Sequence, residues 1–249
     1  MAKLTQLELE KQRHSLVIKS NELIQKSRFE LSAQQQKLVL FLASKINPWE
    51  EDFREYEFEI SEFCNVCGID CTSGGNYAAI KQAIKEIADK SIWVTLEDGR
   101  QTLLRWIEKP YIDKNSGIVK IRFDNDMKPY LLKLQNNYTQ YELMWTIQFK
   151  SKYSIRLYEL IKSIHYNELQ SYERVFALED LKTALGAENA YKEWKNFKAR
   201  VLEPAVQEIN KYSDKMVEYS PIAQGKTINR VWIRVERKEL IDALQDKKL

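Results

Sequence analysis

The 249-residue sequence predicts an α+β chain made of two copies of one small module, and three observations carry that prediction. Phe58, Ile60, Phe63, Cys67 and Gly68 recur as Phe176, Leu178, Leu181, Leu185 and Gly186, each pair 118 positions apart. Self-similarity at about half the chain length argues for duplication. Each copy also runs through the same order of patterns: a helix, a short strand, a helix closed by glycine, an amphipathic helix, then two strands around a tight turn. Finally, 44% hydrophobic and 11% aromatic residues supply enough material for real cores. The sum is a pair of tandem duplicated winged-helix domains, each a helix–turn–helix followed by a β-hairpin wing.

In order, residues 1–15 read as a flexible or loosely helical N-terminal arm, and Asn21 to Lys26 as a short helix. Ser32 caps a longer helix with Gln35 at the capping-box position and Leu38, Val39, Leu42 and Ile46 facing inward. Asn47-Pro48 stops it, and the acidic stretch after Trp49 is a solvated loop. Phe58 to Ile60 alternates as a strand, Ser61 is placed as the cap of a helix carrying Phe63, Val66 and Cys67, and Gly68 ends that helix. Thr72 to Gly75 reads as loop. Asn76 to Lys90 is amphipathic, with Tyr77, Ile80, Ala83, Ile84 and Ile87 on one side and Lys81, Gln82 and Lys85 on the other. Ile92–Leu96 and Thr102–Ile107 flank a turn at Asp98-Gly99, and Asn115-Ser116-Gly117 turns into Ile118–Phe123.

The second copy follows suit. Tyr153 to His165 is a helix, Val175 to Leu178 a strand, Leu181 to Leu185 a helix closed by Gly186, and Glu188 to Asn210 a long helix. Strands at Met216–Tyr219 and Ile228–Val235 enclose a turn at Gln224-Gly225-Lys226. The domains expected are 16–136 and 137–249. The bridge from Gln135 to Phe149 is aromatic rather than Gly/Ser-rich, which predicts docked copies rather than a loose tether.

Composition excludes several classes. No apolar run approaches the roughly 18 residues that span a bilayer, and the amino terminus lacks the apolar segment of a signal peptide. Three cysteines, an odd number, point to a reducing cytoplasm. The net charge is +3 and unevenly placed: residues 1–140 hold 20 basic and 20 acidic side chains, residues 141–249 hold 19 and 16.

The Glu188–Asn210 stretch concentrates that excess. At about 100° per residue, Tyr191, Trp194, Phe197, Val201, Ala205 and Ile209 share one side, while Lys192, Lys195, Asn196, Ala199 and Arg200 spread over the other. Cations and a carboxamide are the groups that hold phosphates and read base edges in a major groove. A core helix with a merely solvated basic face would give the same wheel. The hairpin behind it shifts the balance, because Lys226, Arg230, Arg234, Arg237 and Lys238 are opposed there only by Glu236.

Other motifs carry no chemistry. Cys64, Cys67 and Cys71 lack a fourth zinc ligand, since neither His14 nor His165 is near in sequence; Cys67 is placed as a packed thiol, and no metal is expected. Gly225-Lys226-Thr227 mimics the end of a phosphate loop, but Ser220 replaces the upstream glycine and the segment is a hairpin. Without a His-x-His metal site, Tyr153 and Tyr158 are packing residues rather than nucleophiles. No enzymatic activity and no cofactor are expected, and a rolling-circle nicking enzyme is disfavoured.

Four segments resemble the Rep initiator family of iteron-containing, theta-replicating plasmids: residues 19–46, YTQYEL at 138–143, SKYSIRLYELI at 151–161 and FKARVLEPAVQEIN at 197–210. The resemblance spans about residues 15 to 240. It implies a replication initiator that binds repeated origin sequences (iterons) in double-stranded DNA, promotes origin opening and recruits host replication initiation proteins. It further implies a monomer–dimer equilibrium in which the dimer autorepresses, and no membrane partner. The second domain would make the main groove contacts through Lys192, Lys195, Asn196 and Arg200, with Lys198 at the helix edge and Lys226, Arg230 and Arg234 in the wing. The first domain would dimerise and add a weaker set, Lys81, Gln82 and Lys85. Arg156 is expected to buttress the domain. The alternative is a winged-helix transcriptional repressor with no initiation role.

Overall fold

The structure, a computed structural model, describes residues 4–47, 49–71, 74–96, 98–113, 116–164 and 171–238. Pro48, Thr72, Ser73, Asn115 and His165, which entered the expectations above, lie outside them. The chain forms two compact units, Met1–Gln148 and Phe149–Leu249.

The first unit opens with α1 (Gln6–Arg13), β1 (Leu16–Ser20), α2 (Asn21–Lys26), β2 (Ser27–Arg28) and α3 (Ala33–Ala43). It continues through β3 (Tyr56–Glu59), α4 (Ile60–Cys67), α5 (Gly74–Asp89), β4 (Ser91–Thr95), β5 (Gln101–Arg105), β6 (Tyr111–Ile112) and β7 (Ile118–Ile121). It closes with α6 (Lys128–Leu131), β8 (Tyr138–Glu142) and α7 (Met144–Ile147). The capping box at Ser32 forms as the sequence dictates: its hydroxyl accepts from the Gln35 amide while the Gln35 carboxamide accepts from the Ser32 amide. Ser61 does not cap α4. The helix starts two residues earlier, at Ile60 after Glu59, and the Ser61 hydroxyl donates to the Glu59 carboxylate instead.

Two elements go beyond the expectations. The arm, read as flexible or loosely helical, holds a defined helix, α1, with its own capping box between Thr5 and Glu8. Arg13 ties it down by donating to the carbonyls of Val66 and Asn65 at the end of α4, where a cation also meets the negative pole of a helix. The second is the antiparallel pair β1–β8, which joins Val17 to Tyr141 across 124 positions of chain and lies inside the first unit. That pairing moves the boundary from after residue 136 to after Gln148. Such a long-range partner leaves no trace in local periodicity.

The second unit holds α8 (Lys152–Ile164), β9 (Ser171–Ala177), α9 (Leu178–Leu185), α10 (Trp194–Phe197), a π-helical turn (Lys198–Leu202), α11 (Glu203–Tyr212), β10 (Lys215–Gln224) and β11 (Thr227–Arg237). Its antiparallel sheet has the order β10–β11–β9. Val217, Val231, Ile233 and Val235 point inward with Leu157, Leu181, Phe197 and Ile209 in the core. The offset of 118 holds to the residue: Ile60 and Leu178 begin their helices, and Gly68 (φ 64°) and Gly186 (φ 66°) end them in the left-handed conformation only glycine adopts freely. Among the described residues no helix is long and apolar enough to cross a membrane.

Candidate nucleic-acid interface

The second helix–turn–helix is held together by buried cations bonded to main-chain carbonyls. Arg156 of α8 donates from Nε (2.9 Å) and Nη2 (2.6 Å) to the carbonyl of Ala184 in the last turn of α9. Burial pushes its guanidinium down to about 10, opposed by the charges of Glu159 and Glu188. It is the buttress expected of it. Tyr158 is fully buried and donates to Asp214 Oδ1 at 2.8 Å, and Tyr153 packs edge-on against Tyr191, so both tyrosines are occupied as structural groups.

After Gly186 the chain does not enter a helix at Glu188. Residues 188–190 form a turn, with the amides of Ala190 and Tyr191 both directed at the Ala187 carbonyl, and residues 191–193 lead irregularly out of it. The helix begins at Trp194, so Lys192 lies in the approach to it rather than on it. Lys182 Nζ donates to the Lys192 carbonyl at 2.8 Å, in the segment that leads into the helix.

From Trp194 onward the expected division of faces is present. Phe197, Val201, Leu202, Ala205, Val206 and Ile209 are buried; Lys192, Lys195, Asn196, Lys198, Ala199 and Arg200 are exposed. The side chains of Lys195, Lys198 and Arg200 have no ion-pair partner among the described residues. Glu193, also exposed, sits at the N-cap within this face, where a carboxylate favours the helix pole, and its side chain accepts weakly from Asn196 at 3.5 Å.

The helix is interrupted by its π turn. The Glu203 amide reaches back five residues to the Lys198 carbonyl, and Pro204 next to it has no amide to give the Arg200 carbonyl. The buried seam explains why this is tolerated. Phe197, Val201, Ala205 and Ile209 are four apart, and on an uninterrupted α-helix such a seam drifts by about 40° per step, roughly 120° in all. A wider turn absorbs part of that drift. Consequently the angle between the reading half and the core half departs from the helical wheel.

The wing divides into three zones. Lys226 stands at the exposed tip beside Gly225 (φ 65°). Arg230 is exposed on the outer sheet face with Ile222 and Ala177 opposite it. Arg234 lies roughly 23 Å from the tip by strand rise. It is paired with Glu236 at 2.5 Å, and its cross-strand neighbours are Glu218 and Glu173. The acidic opposition is therefore larger than Glu236 alone, since strand pairing imports two carboxylates from remote sequence. Arg237 pairs with Lys215 at the hairpin base, and Lys238 donates to the Asn210 carbonyl, so both are far from the tip. Asn210 fixes the hairpin to α11, accepting from the Val217 amide at 2.6 Å and donating to the Val217 carbonyl at 2.9 Å.

In the first unit Gln82 and Lys85 are exposed and Lys81 half-buried on α5, but Gln82 bonds Glu86 at 3.2 Å. At the following hairpin Arg100 is paired with Asp98 at 2.7 Å. Cys64 and Cys71, read from spacing only for metal binding, are joined in a disulfide, a feature the reducing-compartment expectation did not include. Cys67 is free and buried, its thiol pushed up to about 12 by burial.

Two helix–turn–helix modules with hairpin wings, the second presenting an unpaired cationic helix face, define a tandem winged-helix protein. The family description "Initiator Replication protein, WH1" matches residues 16–162 and "Initiator Rep protein, WH2" matches residues 177–234. The chain belongs to this family of initiator replication proteins. A replication initiation protein of Escherichia coli is 27% identical over 206 residues, which is 80% of this chain and 63% of the length of that relative. The crystal structure of the Pi initiator protein in complex with iteron DNA has the same fold, with a TM-score of 0.77, 18% identity, and coverage of 91% of this chain and 99% of that one.

Proposed function

We propose that this chain initiates plasmid replication by binding repeated origin sequences in double-stranded DNA through its second winged helix. The observation that carries the reading is the exposed face of Lys195, Asn196, Lys198 and Arg200, its three cations without ion-pair partners among the described residues, on a helix whose opposite face is core. Family membership and the fold shared with an iteron-bound initiator support it. Lys192 approaches the same face from the turn, and Lys226 and Arg230 extend it along the wing. Arg234 contributes less, being neutralised by Glu236. Lys81, Gln82 and Lys85 form a weaker, secondary set.

Docking begins electrostatically, since phosphate neutralisation releases counterions and steers association. Asn196 and Arg200 then read base edges. Several copies bound at adjacent repeats strain neighbouring AT-rich DNA toward opening, where host replication initiation proteins are recruited; the cytoplasm is the compartment for all of this. A dimer would autorepress. Trp93 and Leu103, directly opposite each other on β4 and β5 and each about half exposed, support self-association through that sheet face.

The test is a titration of the full chain against duplexes from the DNA beside its gene. Binding to direct repeats about two helical turns long, with affinity falling steeply as salt rises, is the expected outcome. Binding confined to a lone palindrome over the promoter would leave the repressor reading standing instead.

A further inference from the structure

Lys182 on α9 is 2% exposed, and its Nζ meets two acceptors at 2.8 Å: Glu179 Oε1 and the main-chain carbonyl of Lys192. Glu179 is 74% exposed and can be satisfied by water. The Lys192 carbonyl is thus the bond that reaches beyond α9, into the segment leading to the reading helix. An ammonium is expensive to bury, and lysine is almost never fully buried unless paired. Its neighbours Leu181 and Leu185 show that this face would otherwise be apolar. The counterpart 118 positions upstream is Cys64, also buried, which reaches into the turn after its own helix through the bridge to Cys71. One helix position therefore ties the following turn in both modules, covalently in the first and through an ammonium–carbonyl bond in the second.

We infer that Lys182 is a positioning residue for DNA recognition: it sets where Lys192 leaves the turn and where the helix begins at Trp194, and it touches no DNA itself. The inference rests on the DNA-binding function proposed above.

Lys182→Met keeps the length of the side chain and removes the ammonium. Hydrogen exchange of the full, unbound chain should show amides of residues 187–197 exchanging at least about tenfold faster, with those of residues 203–212 unchanged. That readout requires no DNA. Against a duplex carrying the origin repeat, the variant should bind about tenfold more weakly. A scrambled duplex should be bound as before, and the salt slope should not change because no phosphate contact is removed. Lys182→Arg, which retains the cation, should recover both readouts. Unchanged exchange at 187–197, equal loss on both duplexes, or no recovery in Lys182→Arg would overturn the assignment. Loss of the melting transition in both variants would make Lys182 a folding residue and overturn it as well. A wild-type chain that cannot tell the two duplexes apart would instead defeat the DNA-binding reading, while the exchange result would still judge the positioning role.

Discussion

The two helix–turn–helix units share an eight-residue helix ending at a left-handed glycine and diverge immediately after it. In the first, a disulfide closes the turn and an unbroken sixteen-residue helix follows. In the second, Lys182 holds the turn, and a four-residue helix, a π turn and a proline-led helix follow. Charge diverges in parallel. Around α5 the polar face includes Glu86, and the hairpin tip pairs Arg100 with Asp98; around α10 the cations are left unpaired among the described residues. The same scaffold therefore serves two ends. The first copy has its turn closed covalently and its hairpin-tip arginine paired, and the second presents a denser cluster of unpaired cations on its reading helix, as a polyanion-binding surface requires.

The largest effect that would sharpen this contrast is expected at Arg156. Arg156→Met leaves the Ala184 carbonyl and buried Glu159 without their cation, and should lower the stability of the second module by about 3–5 kcal/mol. Urea unfolding would show this as a shift of that module's transition with the first module's unmoved. Cys64→Ser is the matching change in the first module. Its loop spans a sequence separation of 7, for which loss of a bridge costs about 2–3 kcal/mol. The oxidised wild type should melt higher than the variant, with equal affinity of the two proteins for origin DNA.

A smaller effect tests the charge difference. Lys195→Ala should weaken DNA binding by about tenfold and reduce the salt slope by about 1, whereas Lys85→Ala should change affinity by less than about threefold. Equal effects at the two positions would break the comparison. Asn196→Ala should cost about 1–3 kcal/mol against the preferred sequence and relax discrimination at one position, as competition with single-base variants of the repeat would show. The mildest expectation concerns Cys67. Its buried thiol, raised to about 12, should resist a disulfide reagent in the oxidised native chain and react once per molecule after unfolding.

Much of this architecture could be read locally. The Ser32 capping box, the two glycine stops, the α2 boundaries and the repeat at 118 positions all depend on residues close together in sequence, and each appears where local chemistry places it. So does the division of Lys195, Asn196 and Arg200 from Phe197, Val201 and Ala205, because hydrophobic period alone sorts them. What was missed needed remote partners. The docking of α1 rests on carbonyls of α4, although its Thr5–Glu8 capping box is local, and β8 joined the first unit by pairing with β1. Arg234 lost its freedom to Glu236 and to carboxylates brought beside it by two other strands.

By itself, then, the sequence determined that there are two winged-helix modules, where their helices stop, and which side chains of the second reading helix face outward. Local propensity, capping and periodicity suffice for that. Only the tertiary structure decided where the reading helix starts and how its basic half is angled. The start depends on a buried ammonium ten residues away in sequence taking the Lys192 carbonyl, and the angle on a π turn that keeps a four-spaced seam against a core assembled from other elements. The ammonium bond acts only once Lys182 is packed; Pro204 and the four-spaced seam are local, but the angle they produce depends on the core against which the seam packs.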